Sequence, residues 1–595
     1  DDGCFLRPCL MKKAITLVRI FSQKGLLKER DLPGQIVCGE LRNAVRGCFG
    51  SVSPRWELSF KTIQKVEKSC CGFCLPRFEE RLTPWCEARF EPQTVDIDHL
   101  ARFKSCLRIN VEKGWDRHRR PFIPNGHATL HHGRGCGGNW NIEDFSESCR
   151  AALVFSSGKP RIVTKYSSYN TSVLGPLHYS LYSCLKRTGW LLVGDPTDRH
   201  VEALTGSDYL SFDYSSATDN IKADYVTAAI DILEEQAECL SFEERKCLRV
   251  LSCLKLDGDD RVATRGQPMG SVMSFPLLCL INKTVVDLAL VRMLERKKIS
   301  YHEYATHRCL INGDDLLTRE VRKDTDLRGM ISEEGNKVGL VVNSEKTMSS
   351  LNLAEINSKL FRDGIMQRKL NVSAMWMDTD VSDVLGFASQ ASQGPKDFRR
   401  FVRSNAFILA KQSDKFLDEV KDPACRRICR VDKKIRKAIV SLPVDSRMIE
   451  KGPIRMEHRP DDYELSRDDE NLAMMNEIER VRERAIQFFS RRRERFRTSI
   501  VPNARSFSSV LKLRREDGQE VLPACYVRAA REKKWKSQEG FGLAPEFIYS
   551  SPVLDESRVN YFISIMRSRK RETAVRSPVT FDELSSNSDY VALDC

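Results

Sequence analysis

The chain is 595 residues long, with hydrophobic residues at 41% and charged residues at 30%, a balance that excludes a wholly disordered polypeptide and is enough for a large core and several subdomains. Lys and Arg number 96 against 82 Asp and Glu, a formal charge of +14, which favours polyanionic partners such as nucleic acid. The 21 cysteines are scattered, which argues against a small disulfide framework and for a reducing compartment.

The opening residues, DDGCFLRPCLMKKAITLV, lack the basic, apolar and small-residue order of a secretory signal, so no export is expected. Residues 1–150 mix basic, aromatic and cysteine-bearing segments and end in a glycine-rich loop at 131–138. Cys71-x-x-Cys74, with Cys86 and the group His131, His132 and Cys136, could supply zinc ligands, but buried or free thiols are the commoner explanation of such residues. From about 160 to 350, short apolar runs suited to strands alternate with helical periodicity, and every strong motif falls there. The most apolar stretch, residues 275–294, is interrupted by Asn282, Lys283, Asp287 and Arg292. It reads as a buried helix and not a membrane span. Beyond about 360 the chain turns helical and basic, and residues 461–497 run from acidic to basic with the sign of the helix dipole. The last residues form a polar tail.

Gly313-Asp314-Asp315 lies between two apolar runs, Cys309-Leu310-Ile311 before it and Leu316-Leu317 after it, the pattern of a hairpin with acids at its turn. Adjacent anions at the edge of a core repel and resist desolvation unless divalent cations neutralise them. The bland alternative is an ordinary Asp-Gly turn. A second Gly258-Asp259-Asp260 sits among Lys255, Asp257 and Arg261 and reads as a solvated surface turn. A partner for the first copy stands about a hundred residues upstream, where Asp213 ends the short apolar strand before Tyr214-Ser215-Ser216 and a helix start. Two magnesium ions need carboxylates from separate strands, which Asp213 and Asp314 can supply with Asp315 in support.

As a set these residues resemble the motifs of viral RNA-dependent RNA polymerases, with the nearest likeness to the narnavirus and ourmia-like mycovirus group. Residues 158–165 (GKPRIVTK) resemble motif F, 212–220 motif A, 265–271 motif B, 312–315 motif C, 339–347 motif D, and 354–361 the segment that follows it. The likeness covers roughly 155–365. It implies an α+β, right-handed polymerase with fingers, palm and thumb, the palm an antiparallel sheet. The implied limits are an N-terminal extension with fingers at 1–204, a palm at 205–350 with a fingers insertion at 222–265, a helical, basic thumb at 351–500, and a C-terminal extension at 501–595.

The resemblance also implies roles. Asp213, Asp314 and Asp315 would hold two Mg²⁺, with Mn²⁺ a possible substitute, and Lys346 would protonate departing pyrophosphate. Lys159, Arg161 and Lys165 would hold the triphosphate. Asp219 would read the ribose 2′-hydroxyl. Gly270 and Ser271 would form the loop at the nascent pair. Many related polymerases carry an Asn eight residues after the loop glycine, where this chain has Leu278; Asn282 and Ser274 are the nearby candidates for reading the sugar. The expected partners are RNA template and product and ribonucleoside triphosphates, in a host-cytoplasmic ribonucleoprotein complex. In the C-terminal third, Arg491, Arg492, Arg493 and Arg495 beside Phe488, Phe489 and Phe496 suggest a helix that docks by its aromatics and meets RNA phosphates.

Other classes fit less well. A reverse transcriptase would carry an aromatic sugar gate, where Thr218 stands beside Asp219. A non-catalytic RNA-binding protein would explain the charge but not the buried acids. An NTP-hydrolysing helicase needs G-x-x-x-x-G-K-[ST]; here Leu153 replaces the first glycine and Pro160 follows Gly158-Lys159.

Overall fold

The computed structural model describes residues 3–119, 122, 124–267, 269–378, 384–411, 420, 422–440, 514–516 and 519–521. Its strands in chain order are β1 (Ser148–Ser156), β2 (Lys159–Lys165), β3 (Tyr209–Phe212), β4 (Lys255–Leu256), β5 (Leu310–Asn312), β6 (Asp315–Arg319), β7 (Met348–Ser350), β8 (Leu353–Ile356), β9 (Lys359–Arg362), β10 (Ile365–Gln367), β11 (Arg514–Glu516) and β12 (Gln519–Val521). The fold is α+β, and its central sheet is antiparallel in the order β5-β6-β3-β7.

All four residues of β3 are buried, as a central strand with both faces covered requires. Behind the sheet runs the Ser274–Glu295 helix, buried nearly all round by Leu277, Leu280, Ile281, Val285 and Leu288. That is the expected buried helix at 275–294, and no helix among the described residues is long and apolar enough to cross a membrane. The Ile97–Asn110 and Leu327–Val338 helices pack against it. His99 joins them, its Nδ1 2.6 Å from the Tyr225 hydroxyl and its Nε2 2.7 Å from Glu334, with His99 and Glu334 inaccessible to solvent. Residues 222–265 leave the sheet and return where Lys222 bridges Arg265. This segment contains the Ala223–Gln236 and Phe242–Val250 helices.

The N-terminal layer is built of mostly short helices on one amphipathic helix, Arg7–Gln23. That helix buries Leu10, Ala14, Leu17, Val18 and Phe21 at helical spacing, and Phe21 stacks on Phe60 with centroids 4.2 Å apart. Beyond the sheet the structure departs from the expected boundary. Residues 353–367 form the sheet β8-β9-β10 in place of the start of a helical region, and the Glu355 N–H donates to Ser211 Oγ at 2.8 Å. Ala354 and Ile356 of β8, with Phe361 paired opposite Ala354, bury one face there, so period two wins over the helical expectation. The first compact unit accordingly runs to Met377 and includes residues 390–404.

In the second unit, Asp422 and Asp432 start the Pro423–Val431 and Lys433–Val440 helices, accepting from the N–H groups of Ala424 and of Lys434 and Ile435. The pair buries Cys425, Cys429, Ile435 and Ala438 and leaves most of its basic side chains outside.

Candidate active site

The β5–β6 hairpin turns at Gly313-Asp314. Asn312 faces Asp315 across it, and Phe212 of β3 faces Leu316. One step further along the antiparallel register, Asp213 falls opposite Asp315. Three acids from two separate segments therefore share one end of the sheet. Apolar flanks fix the arrangement, with Ile311, Leu316, Leu317 and Phe212 all buried.

Asn282 departs from the expected role. It is fully buried, its Nδ2 donates to the Gly313 carbonyl at 3.0 Å, and its Oδ1 accepts the Tyr214 hydroxyl at 3.0 Å. With its carboxamide spent inside the protein it ties the Asp213 segment to the Asp314 turn and cannot also reach a sugar. The Gly313 N–H meets Cys279 Sγ at 3.2 Å from the same helix.

The charges at this edge are under stress. Asp314 opens to solvent but is crowded by protein. Dehydration first, then the Asp213 charge, raise its carboxyl above the ordinary range, while Arg161 pulls the other way. Asp315 is pushed up to about 6, by burial first and then by Asp314, although its Oδ2 accepts the Asn357 N–H at 3.1 Å. A chain that holds carboxylates together at this cost, without a cationic partner bonded to them among the described residues, has the donor chemistry for hard divalent cations. The three carboxylates are not gathered into the tight shell of a single ion.

Residues 339–347 lie along the Asp213 segment. The Asp213 N–H donates to Thr347 Oγ1 at 3.2 Å, its carbonyl accepts from Asn343 at 2.8 Å, and the Ser215 N–H donates to Val341 at 2.8 Å. Lys346 is exposed on the turn that follows. Along β2, alternation puts Lys159, Arg161 and Lys165 on one face. Burial, followed by the charges of Arg42, Arg161, Lys346 and Lys61, lowers the Lys159 ammonium. Lys159, Arg161 and Lys346 therefore sit in one basic cluster, which Arg42 and Lys61 enlarge. Those two were missed because they come from short N-terminal helices with no motif around them. Lys165 is at the far end of β2, opposite Arg150.

Asp219 lies half-buried in the short Ala217–Asn220 helix, entered through Ser216 at φ +48°. Its Oδ1 accepts from Trp85 Nε1 at 3.1 Å and from Arg89 Nη1 at 3.4 Å. Arg89 is buried and stacks on Trp85 at 4.5 Å. Nothing in the sequence linked these two to Asp219. Gly270, at φ +147°, is a position where glycine is required, since a Cβ would stand 1.8 Å from the Thr164 carbonyl oxygen. This ties the exposed loop to β2, where the Thr164 N–H donates to Met269 at 2.8 Å. Ser271 Oγ accepts the Met273 N–H at 3.2 Å. Ser274 is buried as the first residue of the long helix.

The second Gly-Asp-Asp is the surface turn expected. Asp259 pairs with its neighbour Arg261 at 2.7 Å. Arg491, Arg492, Arg493 and Arg495 lie outside the described residues.

No protein-family model and no curated protein match the chain. Among solved structures it is similar to the RNA-dependent RNA polymerase of a human picobirnavirus, at 12% identity and a TM-score of 0.40 over 65% of this chain and 82% of that one. An insertion-loop deletion mutant of the same enzyme matches at 11% identity and a TM-score of 0.40 over 65% and 86%.

Proposed function

We propose that this chain is an RNA-dependent RNA polymerase that joins ribonucleoside triphosphates on an RNA template and releases pyrophosphate, in the manner of the narnavirus and ourmia-like group, within a ribonucleoprotein complex of the host cytoplasm. The observation that carries the reading is the meeting of Asp213 with Asp314 and Asp315 at one sheet end, with Arg161 close enough to shift the Asp314 carboxyl.

Two Mg²⁺ ions, when bound, would lower the pKa of the attacking 3′-hydroxyl and neutralise charge on the leaving pyrophosphate. Asp213 and Asp314 would hold them, with Asp315 behind, its Oδ2 anchored by Asn357. Lys159, Arg161, Arg42 and Lys61 would draw the triphosphate to the same edge, since each cation crowded against another there is relieved by phosphate oxygens. Lys346 would give a proton to the departing pyrophosphate. Asp219, aimed by Trp85 and Arg89, would accept from the ribose 2′-hydroxyl.

The test is labelled-ribonucleotide incorporation on an RNA template with Mg²⁺ or Mn²⁺, comparing the unaltered chain with Asp314→Ala and Asp259→Ala. Activity lost at 314 and kept at 259 supports the reading. A folded protein that binds RNA and incorporates nothing with either metal overturns it in favour of a non-catalytic RNA-binding role.

A further inference from the structure

Four cysteines with no part in the carboxylate site converge in the N-terminal layer. Cys4, Cys38, Cys71 and Cys74 are all buried, and their sulfurs lie within 4.8 Å of one another. The resolved separations are 3.5 Å for Cys4 to Cys38, 3.7 Å for Cys4 to Cys71 and 3.8 Å for Cys38 to Cys71. A disulfide needs about 2.05 Å, so none of these is one. Four thiolates placed tetrahedrally at a zinc–sulfur distance of about 2.3 Å stand about 3.8 Å from each other. The cluster already has that spacing.

The local backbone is built for it. Cys71-Gly72-Phe73-Cys74 forms a tight turn in which the N–H groups of Cys74 and Leu75 donate back to the Cys71 carbonyl at 3.1 and 3.0 Å, so both sulfurs come to one side. The Cys71 N–H also meets Cys38 Sγ at 3.5 Å, the kind of donor that steadies a thiolate ligand. Arg77 donates to the Cys38 carbonyl at 2.9 Å, bringing a positive charge beside a site that would carry net negative charge. Phe5 and Phe73, each next to one of the cysteines, meet edge-on at 6.3 Å and close the first segment on the third. Cys86, the His131, His132 and Cys136 group, and the expected ligand set built on them stand apart: His132 is engaged by Glu143 at 2.9 Å and Cys136 is exposed.

We propose that Cys4, Cys38, Cys71 and Cys74 bind one structural zinc ion. The physical need is clear in the elements it joins: the helices at Leu41–Arg46, Pro54–Lys61, Leu75–Glu79 and Leu82–Ala88 have 6, 8, 5 and 7 residues, too short to be stable alone. A closed Cys₄ site with no open position couples metal affinity to folding. The site also steadies the basic hairpin. Gly39, at φ +88°, a conformation that L side chains rarely adopt, donates to Glu67 Oε1 at 2.7 Å, and the Glu67 carbonyl accepts from Gly158 at 2.9 Å, at the turn between β1 and β2.

The test uses the full chain purified under reducing conditions without chelator. Elemental analysis is expected to find one zinc per chain, released when a mercurial reagent titrates the thiols. Growth with Co²⁺ is expected to give a thiolate-to-metal charge-transfer band, a readout that needs no variant. Cys71→Ser with Cys74→Ser is expected to cut bound metal to below about a tenth of an equivalent, whereas Cys9→Ser and Cys136→Ser leave it unchanged. Chelation is expected to speed amide exchange at residues 158–165 and not in the Ser274–Glu295 helix. Zinc far below one equivalent with no cobalt–thiolate band, stoichiometric iron in its place, or full zinc in the double variant would each overturn the assignment. The metal content does not depend on polymerase activity, so the two readings fail separately.

Discussion

Asp315→Asn isolates the cost of packing acids at the sheet edge. In the folded chain the Asp315 carboxyl is pushed up to about 6, by burial, then Asp314, with Glu355 and Asp213 adding to it; an unfolded Asp titrates near about 3.9. The folded pKa is the higher one, so this group's contribution to stability is complete below pH ~4 and is lost as pH rises through ~6. A difference of about two units corresponds to at most ~3 kcal/mol at pH 7.5, and partial solvent access reduces this to roughly 1–2 kcal/mol. Asn keeps an oxygen to accept the Asn357 N–H and removes the charge. In Mg²⁺-free buffer the variant should therefore be more stable than the unaltered chain by roughly 1–2 kcal/mol at pH 7.5 and by about half that at pH 5. Urea unfolding at both pH values measures it. Added Mg²⁺ should narrow the gap by stabilising the unaltered chain more, because the cation favours the ionised carboxylate. A variant no more stable than the parent at pH 7.5, or a gain of the same size at both pH values, would refute the account of Asp315 as a strained anion.

Gly270→Ala should cut nucleotide incorporation at least about tenfold, because the added methyl displaces the Thr164 carbonyl and β2 with it; circular dichroism should show the fold retained. Trp85→Phe removes the Nε1 donor to Asp219, and the ratio of kcat/KM for ribo- over deoxyribonucleotides should fall roughly three- to tenfold. Asn282→Ala leaves the Tyr214 hydroxyl and the Gly313 carbonyl without their partner, so kcat should fall about tenfold with little change in KM for nucleotide; a pure KM effect would restore Asn282 as a sugar contact. Glu334→Ala strips the buried partner from His99 and should destabilise the chain by about 3–5 kcal/mol in urea unfolding, with the loss in the core rather than at the acidic edge.

The acidic edge was legible in the sequence because its signals are local. Gly313-Asp314-Asp315 between apolar runs has one cheap solution, a hairpin with its acids at the turn, and the exposed neighbours of Gly258-Asp259-Asp260 mark that copy as surface. The apolar run behind them could only be a buried helix. What the sequence left open depended on pairings across long separations. Asn282 has a polar side chain at a plausible spacing, and only its burial between Tyr214 and Gly313 shows that its hydrogen bonds are already spent. Trp85 and Arg89 reach Asp219 across more than a hundred residues, and Arg42 and Lys61 join the basic cluster from helices that carry no motif. Residues 353–367 have strands too short for propensity to outvote the helical expectation. In the sequence Cys71-x-x-Cys74 stands as part of a candidate metal site with Cys86, His131, His132 and Cys136, whereas the sulfurs that meet it in the structure are those of Cys4 and Cys38. Chain spacing constrains which groups can share a turn or a helix face, whereas the set of ligands that meet at one point is fixed by how separate elements bury their apolar sides, and that is decided only when the whole layer packs.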